Sequence, residues 1–163
     1  MWKLYMSQSE ALEAVGLSEQ DARGGLLSLR DTARAMSQEN VEIVRRLWRS
    51  QDTDSIFTFY DPAIIWESHY GPISGAYHGH EGVRQFFREW TDPLETFRAQ
   101  AETFTDAGDR VVVGTRVWAR GKGSGVEGEM LQGIVYTLRN GLVIRVDLYE
   151  TKQIALDAAG LSE

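Results

Sequence analysis

Four side chains carry the candidate chemistry of this chain: Asp147, Arg116, Glu67 and His69. In an extended strand, residues i and i+2 share a face. That parity puts Ile65, Glu67 and His69 together in AIIWESH (63–69), and Val112, Gly114, Arg116, Trp118 and Arg120 together in RVVVGTRVWAR (110–120). It likewise groups Met130, Gln132, Ile134 and Tyr136 in VEGEMLQGIVYTLR (126–139), and Val143, Arg145, Asp147 and Tyr149 in LVIRVDLYE (142–150). Each of these faces mixes apolar and polar groups. The faces carrying Val111, Val113 and Val117, or Leu142, Ile144, Val146 and Leu148, are apolar throughout. The simplest assembly turns the apolar faces to packed core or to a partner chain, so that the mixed faces line a cavity. A carboxylate in an apolar cavity has its charged form disfavoured, which moves its pKa toward the useful range. Asp147 is therefore the first candidate for an acid/base group, with an ion pair to Arg145 or Arg116 as the alternative. His69 titrates near neutral pH and shares the Glu67 face, which makes it a candidate acid/base partner.

His69, His78 and His80, with Glu67 and Glu81 nearby, are residue types that ligate metals. His78 and His80 flank Gly79 at a helix start, where His80 and Glu81 are expected to be exposed, so no metal is expected. No organic cofactor is expected either. The aromatics Tyr60, Trp66, Trp90, Trp118, Tyr136 and Tyr149 offer either core packing or flat faces for a polycyclic ligand. Tyr60, Trp118 and Tyr149 lead the ligand-binding candidates, joined by Met130, Gln132 and Tyr136. The Gly121-Lys122-Gly123-Ser124-Gly125 stretch precedes a strand rather than a helix, so it has no helix N-terminus to aim at phosphate. It reads as a hairpin loop.

The elements that must position these groups are legible from punctuation and periodicity. Ser37 precedes a helix over about 38–50 with Val41, Val44, Leu47 and Trp48 at helical spacing. A second short helix is expected from Asp52 to Tyr60, ended by Asp61-Pro62. After the first strand, GPISGAYHG (71–79) reads as a loop, and His80 to Trp90 as a helix with Val83, Phe86, Phe87 and Trp90 on one side. Four strand-like runs follow, the first at 97–104, and Asn140-Gly141 marks a tight hairpin between the last two. Lys152 to Ala159 closes the chain as a helix. Strands joined by such short turns are antiparallel. Helices set before an antiparallel sheet make an α+β fold, and a sheet bent around them encloses a natural ligand site.

Residues 1–35 look different: they hold no β-rich run, and they suggest a short helix from Ser9 to Val15 and another over about 19–35, weakened by Gly24-Gly25. They read as a helical N-terminal extension to a domain over 36–163, packed on that domain or on a partner. EALEAVGLSE (10–19) and IALDAAGLSE (154–163) differ only at Glu10/Ile154, Glu13/Asp157 and Val15/Ala159. A shared helix-plus-glycine pattern or a duplicated tail would each explain this echo.

Composition excludes more than it selects. The chain has 163 residues with Lys+Arg 17, Asp+Glu 24 and a net charge of -7, which argues against nucleic acid as a partner. Apolar residues make up 42% and charged residues 25%, as in ordinary globular domains. Cysteine is absent, which removes disulfides, thiolate metal sites and a cysteine nucleophile, and fits a reducing cytoplasm. No apolar run approaches the ~20 residues that span a bilayer, and MWKLYMSQSE lacks the apolar core of a signal peptide, so no membrane partner is expected.

MSQENVEIVRRLW, YDPAIIWESH, YHGHEGVRQFFREW, FTDAGDRVVVGTRVWARGKGSGVEGE and VYTLRNGLVIRVDLYETKQIALDAAGL, in that order, resemble the SnoaL-like polyketide-cyclase group. That group belongs to the superfamily built like nuclear transport factor 2 and ketosteroid isomerase. The resemblance covers about residues 36–161. It implies a cone-shaped α+β barrel, a strongly curved antiparallel sheet wrapped around N-terminal helices, and a homodimer through the sheet. The superfamily mixes isomerases, cyclases, epoxide hydrolases and noncatalytic binders, so activity rests on the site. Similarity to limonene-epoxide hydrolases places a carboxylate at Asp147 and a bridging arginine at Arg116. Trp118 stands where the second carboxylate of that relay belongs, so the relay is broken. Glu67 falls near the general base of ketosteroid isomerases. The matching oxyanion-donor positions fall on about Leu47 and Ile134, whose side chains cannot donate. Two readings follow for a small hydrophobic, carbonyl-bearing or polycyclic molecule. One is a cofactor-independent cyclase, isomerase or hydrolase using Asp147, with Arg116, Gln132, His69 and Glu67 assisting. The other is a noncatalytic ligand-binding or dimerisation module.

Overall fold

The computed structural model describes residues 19–50 and 52–162. The short helix expected from Ser9 lies outside them. The chain divides into two compact units, Met1–Ala35 and Met36–Glu163. Helix α1 spans Glu19–Arg49. The sequence suggests two helices here, and the structure makes one. Ile43, Val44 and Leu47 are buried and anchor the later turns. Once a helix is anchored, each added residue gains a hydrogen bond without a new nucleation step. Gly24 and Gly25 cost about 1 kcal/mol each relative to alanine and do not stop it. Ser37, expected just before a helix, sits inside it and its hydroxyl donates to Asp106 at 2.8 Å. In the first unit, Leu26, Leu27 and Leu29 are exposed on α1.

In the second unit, Asp52 caps a single-turn helix α2, Thr53–Ile56, by accepting from the Asp54 N–H at 3.1 Å. A 3₁₀ turn over Phe57–Phe59 follows. Tyr60 is already extended, at φ -100 and ψ 133, and opens strand β1, Tyr60–Ser68. The expected helix to Tyr60 therefore ends early, because pairing of Tyr60 with Val143 captures that residue for the sheet. Strand β2, Gly75–His78, lies inside the stretch read as a loop. Helix α3, Gly79–Thr91, follows it, and then β3, Leu94–Ala107, β4, Arg110–Gly121, β5, Glu127–Arg139, β6, Leu142–Tyr149, and helix α4, Lys152–Ala158.

The six strands form one curved, unclosed sheet in the order β2-β1-β6-β5-β4-β3. The fold is α+β, as expected. β3 to β6 form an antiparallel meander, whereas β1 lies parallel to β6, with Glu67 beside Asp147. The parallel pair escapes the short-turn argument because β1 and β6 are distant in sequence. Asn140 at φ 52 and Gly141 at φ 76 make the tight β5–β6 turn that the sequence marks. Irregular register in β1, β3 and β5–β6 bends the sheet.

The two sheet faces carry two cores. On the concave face, Ile43, Val44 and Leu47 of α1 and Val83 and Phe86 of α3 pack with Ile64, Trp66, Val111, Val113, Ile134, Tyr136, Val143, Val146 and Leu148. On the convex face, α4 packs Ala155, with Ala159 just beyond its end, against Val112 and Val135. Gly133 makes that seat. A Cβ there would stand 2.5 Å from the Ala155 Cβ and 2.5 Å from the Thr151 carbonyl oxygen.

Candidate functional site

Between the concave sheet face and the helices lies a cavity of about 300 Å³. Its floor is Tyr60 and Trp66 of β1, Thr115 and Val117 of β4, Gln132, Ile134 and Tyr136 of β5, and Leu148 of β6. Leu47 and Trp48 of α1 and Phe86, Phe87 and Trp90 of α3 form the opposing wall, with Ile56, Phe97 and Ala99 also lining it. The aromatic rings brace one another: Trp66 meets Phe86 and Phe87 at centroid distances of 5.1 Å each. Among the described residues that line this cavity there is no carboxylate, imidazole, ammonium or guanidinium. Its ionisable groups are the tyrosines Tyr60 and Tyr136. Burial pushes both hydroxyls above the ordinary phenol range, and the charge of either one, if formed, would oppose that of the other.

The polar exceptions are few and specific. Gln132 is 4% exposed, and its amide nitrogen donates to the Tyr70 hydroxyl and contacts the Met130 sulfur at 3.3 Å. Thr115 stands directly across the β4–β5 ladder from it and is 2% exposed. The Thr115 hydroxyl has no hydrogen-bond partner.

Asp147, Glu67 and His69 lie on the other face of the sheet. The sequence expectation turned the mixed faces inward, and the structure reverses this for β1, β4 and β6. The reason is the ordinary one: the faces richer in apolar side chains lose least on leaving water, and both the core and the cavity sit on them, with Thr115 and Ser68 as buried polar exceptions. Only the mixed face of β5, with Gln132, Ile134 and Tyr136, faces the cavity. In β6 the parity itself breaks. Arg145 pairs with Thr137 and Val143 with Leu138, which leaves Ile144 as an extra residue. Val143 therefore joins Val146 and Leu148 in the concave core, while Arg145, Asp147 and Tyr149 point outward.

On the convex face these outward groups form one network. His69 Nε2 donates to Asp147 Oδ1 at 2.8 Å. The carboxylate can only accept, which fixes the proton on that nitrogen. The imidazole stacks on Tyr149 at 4.5 Å between centroids and 5° between planes. Arg145 grips Asp147 with two bonds, from Nε at 2.9 Å and Nη2 at 2.8 Å, and Nη2 also reaches Glu67. The Asp147 carboxylate, with Glu67 beside it, holds the Arg145 guanidinium well above its ordinary range. Donor atoms of Glu67, His69 and Asp147 lie within 4.8 Å of one another, as a metal site requires. The Arg145 guanidinium already bridges both carboxylates, so it supplies the positive charge a cation would bring. The other imidazoles do not converge there. His80 Nε2 lies 3.1 Å from the Tyr60 carbonyl oxygen, and His78 sits on β2 opposite Ile65.

Arg116 does not meet Asp147. It lies between Glu102 and Glu129, and those two carboxylates raise its pKa, Glu102 most. Trp118 also faces outward, its indole N–H donating to Glu129 at 2.9 Å under the Arg98 guanidinium. Of the ligand-binding candidates, Tyr60, Gln132 and Tyr136 line the cavity. Met130 lines a separate shallow pocket with Ile73 and Trp90, and Trp118 and Tyr149 are on the convex face. Residues the sequence reading left unassigned, Trp48, Phe86, Phe87 and Thr115, complete the cavity. Thr115 was findable as the polar member of the Val111, Val113, Val117 series.

Residues 41–146 match the model of the SnoaL-like domain. The chain belongs to the SnoaL-like family. No curated protein matches it. Among solved structures, TerC co-crystallised with polyporic acid is similar at 21% identity and TM-score 0.62, covering 75% of this chain and 98% of that one. An NTF2-like protein of unknown function from Burkholderia pseudomallei K96243 is similar at 19% identity and TM-score 0.63, over 73% of this chain and 95% of that one. A protein with a ketosteroid isomerase-like fold from Catenulispora acidiphila DSM 44928, in complex with trimethylamine, is similar at 17% identity and TM-score 0.58, over 74% and 93% of the two chains. The NTF2-like neighbours fit a cone-shaped fold. Among the described residues, no helix is long and apolar enough to cross a membrane.

Proposed function

We propose that this SnoaL-like protein binds a small, uncharged, ring-bearing molecule in the concave cavity and holds it without chemical turnover. One observation carries this reading: the cavity wall is aromatic and aliphatic, and among its described residues only buried tyrosines can ionise. Proton transfer at neutral pH needs a group whose pKa lies near the operating pH. Phenols pushed above their ordinary range do not meet that need. A charged ligand would find no counter-charge on that wall and would pay its desolvation unrelieved.

The catalytic alternative loses its support in the same geometry. Asp147 is on the far face of the sheet, and its oxygens are taken up by Arg145 and His69. Two similar folds were crystallised with small molecules, polyporic acid in one and trimethylamine in the other, which fits a fold that houses ligands.

Intrinsic fluorescence tests the reading, because Trp48, Trp66 and Trp90 all line the cavity. Titration with naphthalene is expected to change tryptophan emission saturably. Native mass spectrometry of the purified protein then identifies what it carries. Failure of every neutral aromatic probe to bind, or turnover of a bound one, would overturn the reading.

A further inference from the structure

The cavity is not uniformly apolar: besides the Tyr60 and Tyr136 hydroxyls and the Trp48 and Trp66 indole N–H groups, it holds a cross-strand polar pair on the sheet. Thr115 and Gln132 face each other across the β4–β5 ladder, and both line the cavity. Gln132 is fixed by its bond to the Tyr70 hydroxyl and by the Met130 sulfur. Thr115 is 2% exposed, yet its hydroxyl has no partner. A buried hydroxyl left unpaired is costly, and valine would fill the same space without that cost. The amide nitrogen of Gln132 is engaged, which leaves its carbonyl oxygen as the acceptor of that side chain, on the residue opposite Thr115.

The geometry points to a ligand hydroxyl as the missing partner: the protein selects an uncharged aromatic molecule bearing one hydroxyl, held by Thr115 and Gln132. This inference rests on the ligand-binding reading above and names its ligand class. A hydroxyl both accepts, here from Thr115, and donates, here to Gln132. A bare carbonyl could satisfy only the first, and would leave the Gln132 oxygen unpaired. A phenolate or carboxylate would meet no cation among the described lining residues. The size is also bounded. A cavity of about 150 Å³ accommodates benzene, so about 300 Å³ suits a bicyclic ring system. Sites that hydrogen-bond a ligand hydroxyl discriminate strongly against analogues that lack it, because the buried polar groups are then left unpaired.

The experiment compares 2-naphthol with naphthalene by tryptophan-fluorescence titration, in the wild-type chain and in Thr115→Val and Gln132→Met. Both substitutions preserve volume and suit a strand, and circular dichroism checks that each variant folds. In the wild type, 2-naphthol is expected to bind roughly tenfold more tightly than naphthalene. Thr115→Val should collapse that ratio toward one, and Gln132→Met should do the same. Equal binding of the two probes to the wild type would overturn the hydroxyl inference and leave the apolar-cavity reading standing. So would a ratio that survives in both variants. Failure of both probes to bind would overturn the ligand-binding reading, and this inference with it.

Discussion

Asp147 and His69 are joined at 2.8 Å on the sheet face opposite the cavity, although they lie 78 positions apart in sequence. In the binding reading proposed above, their partnership is structural. Asp147→Asn keeps the shape but removes the charge that Arg145 grips twice and His69 once. We expect it to cost about 1–3 kcal/mol in urea unfolding. It should leave naphthalene affinity at the wild-type value. A loss of ligand binding in a folded Asp147→Asn protein would contradict the two-face arrangement.

Filling the cavity should do the opposite. Ala99 lines it, and Ala99→Phe places a ring in the space. Probe binding should fall at least tenfold while the unfolding midpoint changes little. Unaltered binding would show that the ligand sits elsewhere.

The α4 seat predicts a third result. Gly133→Ala drives a methyl to 2.5 Å from both the Ala155 Cβ and the Thr151 carbonyl oxygen. Neither the backbone nor the packed alanine can yield cheaply. A loss of roughly 1–3 kcal/mol is expected from overpacking, with faster hydrogen exchange in α4. Wild-type protection in α4 would show that the helix is seated differently.

Alkaline stability follows from the cavity tyrosines. Burial raises the pKa of Tyr60 and Tyr136 above that of an unfolded tyrosine, which is about 10. Below pH ~10 the folded and unfolded states hold the same phenolic protons, and stability is intact. As pH rises beyond that, the unfolded state releases protons that the native state retains, and stability falls toward the folded values. Tyr136→Phe should therefore flatten the decline above pH 10, whatever it does at pH 7. An alkaline profile identical to the wild type would remove Tyr136 as its cause.

Much of the framework was legible because local chemistry decides it. Asn140-Gly141 fixes a hairpin whatever surrounds it, and the alternation in 110–120 and 126–139 gives strands and their parity. Tertiary context decided the rest. β2 is an edge strand among glycines, defined by its pairing with β1 rather than by its own residues. The break expected before Ser37 vanishes because Ile43, Val44 and Leu47 already hold the helix. For β1, β4 and Arg145 to Tyr149 of β6 the candidate site was read with correct parity but with the faces exchanged, since alternation says which residues share a side and not which side is covered. Ile144, inserted as one extra residue, is invisible to a strict period of two.

The parallel pairing of β1 with β6 has a kinetic consequence. β3 to β6 are neighbours in sequence and in space, so they can zip through short turns. β1 must close a far longer loop before Glu67 meets Asp147, and distant pairings form late because chain entropy is lost before contacts repay it. Trp66 travels with β1 and completes the cavity wall. The cavity wall is thus expected to close late in folding, and a bound ligand would report that the β1–β6 pairing has formed.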